Sequence, residues 1–173
     1  MLFWFWFGII LHGKNGNGRF FFRVRRKIMK VAIKKLDERA VLPTYGSAFS
    51  AGADLYALMD EDLTILPNET KFVHTGLAIE VPEGYAGLVY ARSGLASKRG
   101  LAPANKVGVI DADYRGEIMV ALHNHSGESQ TIQSGERIAQ LVIAPFLKAE
   151  FIERETLSET VRGTGGFGST GSK

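Results

Sequence analysis

A series of short β-rich runs, beginning at Val31, limits how this chain can fold more than any other feature. Gly, Pro, Asn and Asp separate the runs at intervals typical of a β-sandwich or β-barrel, and no long amphipathic helix interrupts them. The pattern therefore predicts a single all-β domain. The predicted strands are Val31–Lys34, Leu63–Ile65, Lys71–Val81, Gly87–Ala91, Val107–Ile110, Glu117–His123 and Arg137–Ala144.

The first 28 residues differ in composition from the rest of the 173-residue chain. They hold six Lys or Arg, no acidic residue, both tryptophans and six of the eleven phenylalanines. Without them the net charge changes from +3 to −3, so the basic character is poor evidence for nucleic-acid binding. The apolar run at the start is also too short to span a bilayer. We therefore expect residues 1–28 to be an extension outside the fold, with Met29 as a candidate start, and we expect no nucleic-acid or membrane partner.

The rest of the chain is predicted to form two parts. Residues 29–161 form the β domain, and residues 162–173 form a flexible glycine-rich arm. The chain has no cysteine, which excludes disulfides and thiolate metal sites and fits a reducing compartment such as the cytoplasm.

The run Arg92-Ser93-Gly94 precedes the one predicted helix, Gly94–Arg99, for which Ser93 is the expected N-cap and Gly100 the terminating glycine. A helix N-terminus attracts anions, and a guanidinium matches the geometry of a phosphate. The tripeptide by itself favours an ordinary cap beside a surface arginine, because serine caps are common.

A second candidate segment follows the helix. Asp111 and Asp113 lie at i and i+2, where one carboxylate could act as a base, and Asn105 could read the edge of a planar ligand. Tyr114 adds an aromatic ring. Turn chemistry explains the same residues without any function, because Arg115-Gly116 follows directly.

Two further segments have weaker chemical signals. The tail from Arg162 to Gly171 contains G-x-G-x-x-G, but no helix can follow it, so a dinucleotide site is excluded. A mobile strip that closes over a ligand and a disordered tail both remain open. His123 and His125 could share a metal, but no third ligand is near in sequence, and a position at a hairpin end or interface is favoured.

These segments occur in a specific order, and the chain resembles the trimeric dUTPases (dUTP diphosphatases) over about residues 29–171. Each motif is weak alone, but five in order form a specific signal. The five matching segments are Ala51-Gly52-Ala53-Asp54-Leu55-Tyr56-Ala57, Ala91-Arg92-Ser93-Gly94, Gly108-Val109-Ile110-Asp111-Ala112-Asp113-Tyr114-Arg115-Gly116, Gly135-Glu136-Arg137-Ile138-Ala139-Gln140-Leu141 and Arg162–Gly171.

The resemblance implies a role for each residue that matches. Asp111 would be the general base that activates water. Tyr114 would pack on the deoxyribose and exclude a 2′-hydroxyl, beside Met119. The uracil edge would be read by Asn105 and the Val109–Asp111 backbone.

The resemblance likewise implies how the phosphates are held. Phe167 would stack on uracil from a neighbouring subunit, and Asp54 would support the site near the metal, through Arg92 or a water. The phosphates would contact Arg92, Ser93, Gly94 and Gln140, with Arg162, Ser169 and Thr170 on the distal phosphate. Gly168 would also contact the substrate.

The resemblance implies a homotrimer. Each subunit would be a jelly-roll-like β-barrel or sandwich, and the active sites would be shared between subunits. The protein would hydrolyse dUTP to dUMP and pyrophosphate with Mg²⁺, which the substrate phosphates would hold without a direct protein ligand. Its role would be to keep uracil out of DNA and to supply dUMP for dTMP synthesis. The alternatives are a dCTP deaminase or bifunctional deaminase–dUTPase on the same fold, and a non-catalytic nucleotide-binding regulator.

Overall fold

The computed structural model describes residues 9–14, 20–24 and 28–166. Within these ranges the chain forms antiparallel strands and one short helix, which confirms the predicted all-β class. The elements are β1 (Ile9–Lys14), β2 (Phe20–Val24), β3 (Ala32–Lys35), β4 (Thr44–Tyr45), β5 (Ala53–Tyr56), β6 (Leu63–Ile65), β7 (Thr70–Glu80), β8 (Tyr85–Tyr90), α1 (Ser93–Arg99), β9 (Leu101–Pro103), β10 (Val107–Ile110), β11 (Glu117–Asn124), β12 (Gln130–Ile132) and β13 (Arg137–Pro145).

Two main sheets build the domain. One has the order β10-β8-β13-β5-β4 and the other has the order β3-β7-β11-β9, while β12 pairs with β6. Neither main sheet closes on itself, so the arrangement is an open sandwich and not a closed barrel. A strand order this far from chain order requires crossings between the sheets, which bring distant segments together.

A single apolar core holds the two sheets together. Strand β11 shows why, because its buried residues alternate along the strand and so lie on one face. Side chains from both sheets and from α1 contribute to the same cluster, which includes Leu55, Val73, Val89, Leu95, Val120, Leu122 and Leu141. The core therefore fixes the relative position of the strands that carry the candidate site residues.

The short helix differs from its prediction at one end. Arg92 has extended backbone angles (φ −84°, ψ 128°), and its carbonyl accepts the first helical hydrogen bond, from the N–H of Ala96. Arg92 is therefore the N-cap, and the prediction of Ser93 as N-cap is wrong, because Ser93 is already helical and no side chain caps the helix. The other end is confirmed, since Gly100 adopts the left-handed conformation (φ 65°) that glycine favours.

The extension contains the strands β1 and β2, which form a two-stranded sheet of their own within the described part of the chain. The assignment of residues 1–28 to an extension outside the fold stays a prediction. Across residues 9–14, 20–24 and 28–166, no helix has both the length and the apolar composition needed to cross a membrane.

Candidate active site

A cavity of about 230 Å³, here called the hairpin pocket, lies beside the turn that joins β10 to β11. It brings together the residues predicted to read a base and sugar with the predicted general base. Asp113, the other member of the acidic pair, does not line it, which distinguishes the two carboxylates. The predicted residues in its lining are Asn105, Val109, Ile110, Asp111, Tyr114 and Met119.

The turn shapes one wall of the hairpin pocket. The backbone N–H of Tyr114 donates to the carbonyl of Asp111 (3.2 Å), and the Tyr114 hydroxyl donates to the carbonyl of Glu117 (2.9 Å). A Cβ built on Gly116 would lie 2.4 Å from that hydroxyl oxygen, so the ring folds back over a residue that must be glycine. Asp111 is exposed at the same pocket, where water can reach it.

A second cavity of about 350 Å³, here called the helix cleft, lies at the start of α1. It brings together Arg92, Ser93, Gly94 and Gln140, which are four of the residues predicted to hold phosphates, and also Asp54. Gln140 is fixed there by a hydrogen bond from its Nε2 to the carbonyl of Ala91 (2.9 Å). These four residues thus line one concave surface, and their contact with phosphate stays a prediction.

The electrostatics of the helix cleft favour an anion. Asp54 is only 14% exposed and accepts hydrogen bonds from Arg92 Nε (2.7 Å) and Arg137 Nη1 (3.3 Å). One carboxylate therefore orients two guanidinium groups, which leaves a net positive charge in the cleft. The predicted contact of Asp54 with Arg92 is present.

Arg137 is a cleft residue that the sequence analysis did not single out. Strand alternation places Arg137 and Gln140, at i and i+3, on opposite faces. In the structure Arg137 pairs with Tyr56 and Ala139 pairs with Leu55, so β13 has one extra residue, a β-bulge that brings both side chains to one side. Ser50 was also missed, although it lies just before the first matching segment.

The hairpin pocket and the helix cleft lie far apart on one chain. They share no lining residue. Ile110 pairs with Gly87 in the first half of β8, whereas Arg92 lies two residues beyond the last residue of β8. At about 3.3 Å per residue, Asp111 and Arg92 are separated by about 20 Å along the sheet.

The arm is described only as far as Gly166. Arg162 is exposed, donates from Nε to the carbonyl of Gly165 (2.7 Å) and lines neither cavity. The other predicted arm residues, Phe167, Gly168, Ser169 and Thr170, lie outside the described residues.

The two histidines lie at the end of β11, as expected of hairpin-end residues. Their ring centroids are 4.3 Å apart, and His123 Nδ1 is hydrogen-bonded to the hydroxyl of Thr70. Burial and the nearby Lys106 and His123 lower the pKa of His125. Among the described residues, no group of three His, Asp or Glu side chains is arranged to hold a metal ion.

Comparison with known proteins agrees with this geometry. The dUTPase family model matches residues 38–171. A deoxyuridine 5′-triphosphate nucleotidohydrolase of Nautilia profundicola is 53% identical over 143 residues, which cover 83% of this chain and 99% of that protein.

Solved structures give the same result at lower identity. The Staphylococcus bacteriophage 80alpha dUTPase with dUPNHPP is 31% identical, with a TM-score of 0.75 over 82% of this chain and 98% of that chain. A mutant dUTPase from phage phi11 of S. aureus, which shows the coordination of a structural Mg(II) ion, is 28% identical, with a TM-score of 0.65 over 74% and 98%. The sequence motifs, the two cavities that they form and these similarities lead to one conclusion: the chain belongs to the dUTPase family.

Proposed function

We propose that the protein hydrolyses dUTP to dUMP and pyrophosphate, through attack of water on the α-phosphate with Asp111 as general base. The observation that carries this proposal is the hairpin pocket, where Asp111, Tyr114 and Asn105 line one small cavity. A positioned carboxylate can remove the proton of an attacking water, and the pocket can hold a base and sugar beside it. In a cell this reaction keeps uracil out of DNA and supplies dUMP for dTMP synthesis.

Different residues of the hairpin pocket recognise different parts of the substrate. Asn105 and the backbone of Val109–Asp111 form hydrogen bonds with the uracil edge, while Tyr114 and Met119 pack on the sugar. A pocket built to pair with uracil leaves polar groups unpaired when cytosine enters, which rejects dCTP strongly. Arg92, Ser93, Gly94 and Gln140 hold the phosphates in the helix cleft, where Arg137 adds positive charge.

The structure favours hydrolysis over deamination. A deaminase on this fold needs a free acidic side chain at the base, and Glu117 is the glutamate that lines the hairpin pocket. Its carboxylate already accepts hydrogen bonds from His74 and from the backbone N–H groups of Thr75 and Gly76. The Glu117 carboxylate is therefore occupied by structural hydrogen bonds and is poorly suited to donate a proton to a nucleobase.

Mg²⁺ fits this site through the substrate. Asp54 faces the helix cleft, but both of its oxygens already accept hydrogen bonds from arginines. Since Mg²⁺ keeps several waters and binds phosphate oxygens readily, the triphosphate would supply most of its ligands, with Asp54 nearby through Arg92 or a water. When bound, the ion would neutralise phosphate charge and help to orient the chain of phosphates.

A homotrimer explains how two distant cavities serve one substrate. The ~20 Å between Asp111 and Arg92 along the sheet is too long for both to act at one α-phosphate, so the helix cleft of one subunit must meet the hairpin pocket of another. The segment after β13 also exposes many apolar side chains, which a neighbouring subunit would cover. These residues are Leu147, Phe151, Ile152, Leu157 and Val161.

The deciding experiment is pyrophosphate release with Mg²⁺, measured against dUTP, dTTP, dCTP and UTP. We expect release from dUTP alone at low enzyme concentration, and its loss when the ion is chelated. Ammonia release from dCTP would support the deaminase, and nucleotide binding without turnover would support a regulator. Sedimentation of the same sample should give the mass of three chains.

Gly52→Ala should weaken phosphate binding, because its Cβ would lie 2.4 Å from Oε1 of Gln140 and 3.1 Å from its Cβ. Gln140 must then leave its present position in the helix cleft. The loss of one hydrogen bond to phosphate predicts a rise in KM for dUTP of roughly three- to tenfold. Gly127→Ala is the matched control, since its Cβ would meet nothing within 4 Å, and an unchanged KM in Gly52→Ala would contradict the prediction.

A further inference from the structure

Glu117, the first residue of β11, joins the hairpin pocket to an irregular part of β7. Glu117 pairs with Ala78 and Met119 pairs with His74, so β7 has extra residues at this point and bulges. Gly76 in the bulge has φ +66°, and a Cβ there would lie 2.4 Å from a methyl group of Leu58. The bulge turns backbone N–H groups out of the strand ladder, and they need another acceptor.

The Glu117 carboxylate supplies that acceptor. Its Oε1 accepts from the N–H groups of Gly76 (2.8 Å) and Thr75 (3.2 Å), and its Oε2 accepts from Nδ1 of His74 (2.8 Å). Burial opposes ionisation, but the hydrogen bonds from His74 and the bulge outweigh it and lower the pKa of Glu117. Because an ionised carboxylate only accepts, His74 must carry its proton on Nδ1.

The other end of the same residue holds the pocket wall. The carbonyl of Glu117 accepts the hydrogen bond from the Tyr114 hydroxyl. The side chain of Glu117 thus fixes the start of β11, and its backbone fixes the orientation of the Tyr114 ring. A chain of direct contacts runs from the β7 bulge to the wall of the hairpin pocket.

We propose that Glu117 is a positioning residue for sugar discrimination, which holds the Tyr114 ring where it excludes a 2′-hydroxyl. The proposal rests on the role given above to Tyr114. Without the carboxylate, the N–H groups of the bulge lose their acceptor, and the first residues of β11 are held less firmly. The Tyr114 ring can then move outward and admit a ribonucleotide.

The test compares kcat/KM for dUTP and for UTP in the assembled enzyme. In Glu117→Ala we expect the ratio of the two to fall by at least about tenfold, mainly because UTP becomes a better substrate. Glu117→Gln should keep a ratio close to wild type, since its amide oxygen can accept both N–H bonds and its amide NH₂ can donate to Nδ1 of His74 once the ring proton moves to Nε2. His74→Ala removes one of three bonds and should lower the ratio roughly threefold.

The controls separate a positioning role from general damage. Glu61→Ala removes a carboxylate from an exposed turn outside both cavities and should leave the ratio unchanged. Reduced activity toward both nucleotides at an unchanged ratio in Glu117→Ala would overturn the proposal. If that variant does not assemble, an unchanged ratio in His74→Ala overturns it instead. If the wild-type protein does not hydrolyse dUTP, the proposed function is refuted, and this inference falls with it.

Discussion

Asp111→Asn should leave the protein folded and able to bind a dUTP analogue, while kcat for dUTP falls by about 10²–10⁴-fold. Asparagine has nearly the same shape as aspartate, so the hairpin pocket keeps its lining. Its amide, however, cannot take a proton from water near neutral pH. Steady-state pyrophosphate release gives kcat, and calorimetric titration with dUPNHPP gives the affinity.

Asp113→Asn is the matched control for that experiment. Asp113 lies two residues away, is exposed and does not line the hairpin pocket, so its variant should retain wild-type kcat. A kcat near wild type in Asp111→Asn would contradict the assignment of the base. Equal losses in both variants would point to disturbance of the turn and not to proton transfer.

Deleting residues 162–173 should leave the proposed homotrimer intact and lower kcat/KM for dUTP by about 10²-fold or more. Arg162 and the following residues are proposed to close over the bound nucleotide, and the described arm lies outside the apolar core. The deletion therefore removes contacts with the ligand without removing core packing. Sedimentation checks the assembly, and pyrophosphate release checks the activity.

Deleting residues 1–28 gives the comparison at the other end of the chain. We expect this variant to match the full chain in the number of subunits per assembly and in kcat/KM, because the extension is predicted to lie outside the fold.

If the variant that lacks residues 162–173 does not assemble, that result would contradict a role of the arm limited to closure over the site.

The sequence predicted seven of the thirteen described strands, and β1 and β2 were missed because residues 1–28 were assigned to an extension outside the fold. The seven predicted runs lie within one or two residues of β3, β6, β7, β8, β10, β11 and β13. Strands β4, β5, β9 and β12 were also missed, and their length of two to four residues does not by itself explain this, since the equally short β6 and β10 were predicted. The pairing of these strands depends on partners distant in the chain.

For the candidate site, the sequence likewise predicted some residues and missed others that only the folded chain brings together. The resemblance implied one set of residues for the base and sugar and another for the phosphates, and each set meets in a cavity of its own, except for Arg162, which lines neither cavity. Arg137 was missed because a bulge overrides strand alternation, and the N-cap was placed one residue late because Ser93 is a common cap type. No sequence pattern indicated that Glu117 and His74 would meet, since they are joined by strand pairing alone.

The extra residue in β13 also restricts how this chain can change in length. Inserting one more residue between Arg137 and Gln140 would shift β13 by one alternation step, so that the two side chains would lie on opposite faces and could no longer both reach the helix cleft. Single-residue insertions at this point should therefore be tolerated far less than substitutions of the same residues. Homologous enzymes of this type are expected to keep the spacing of these two side chains even where the residues between them differ.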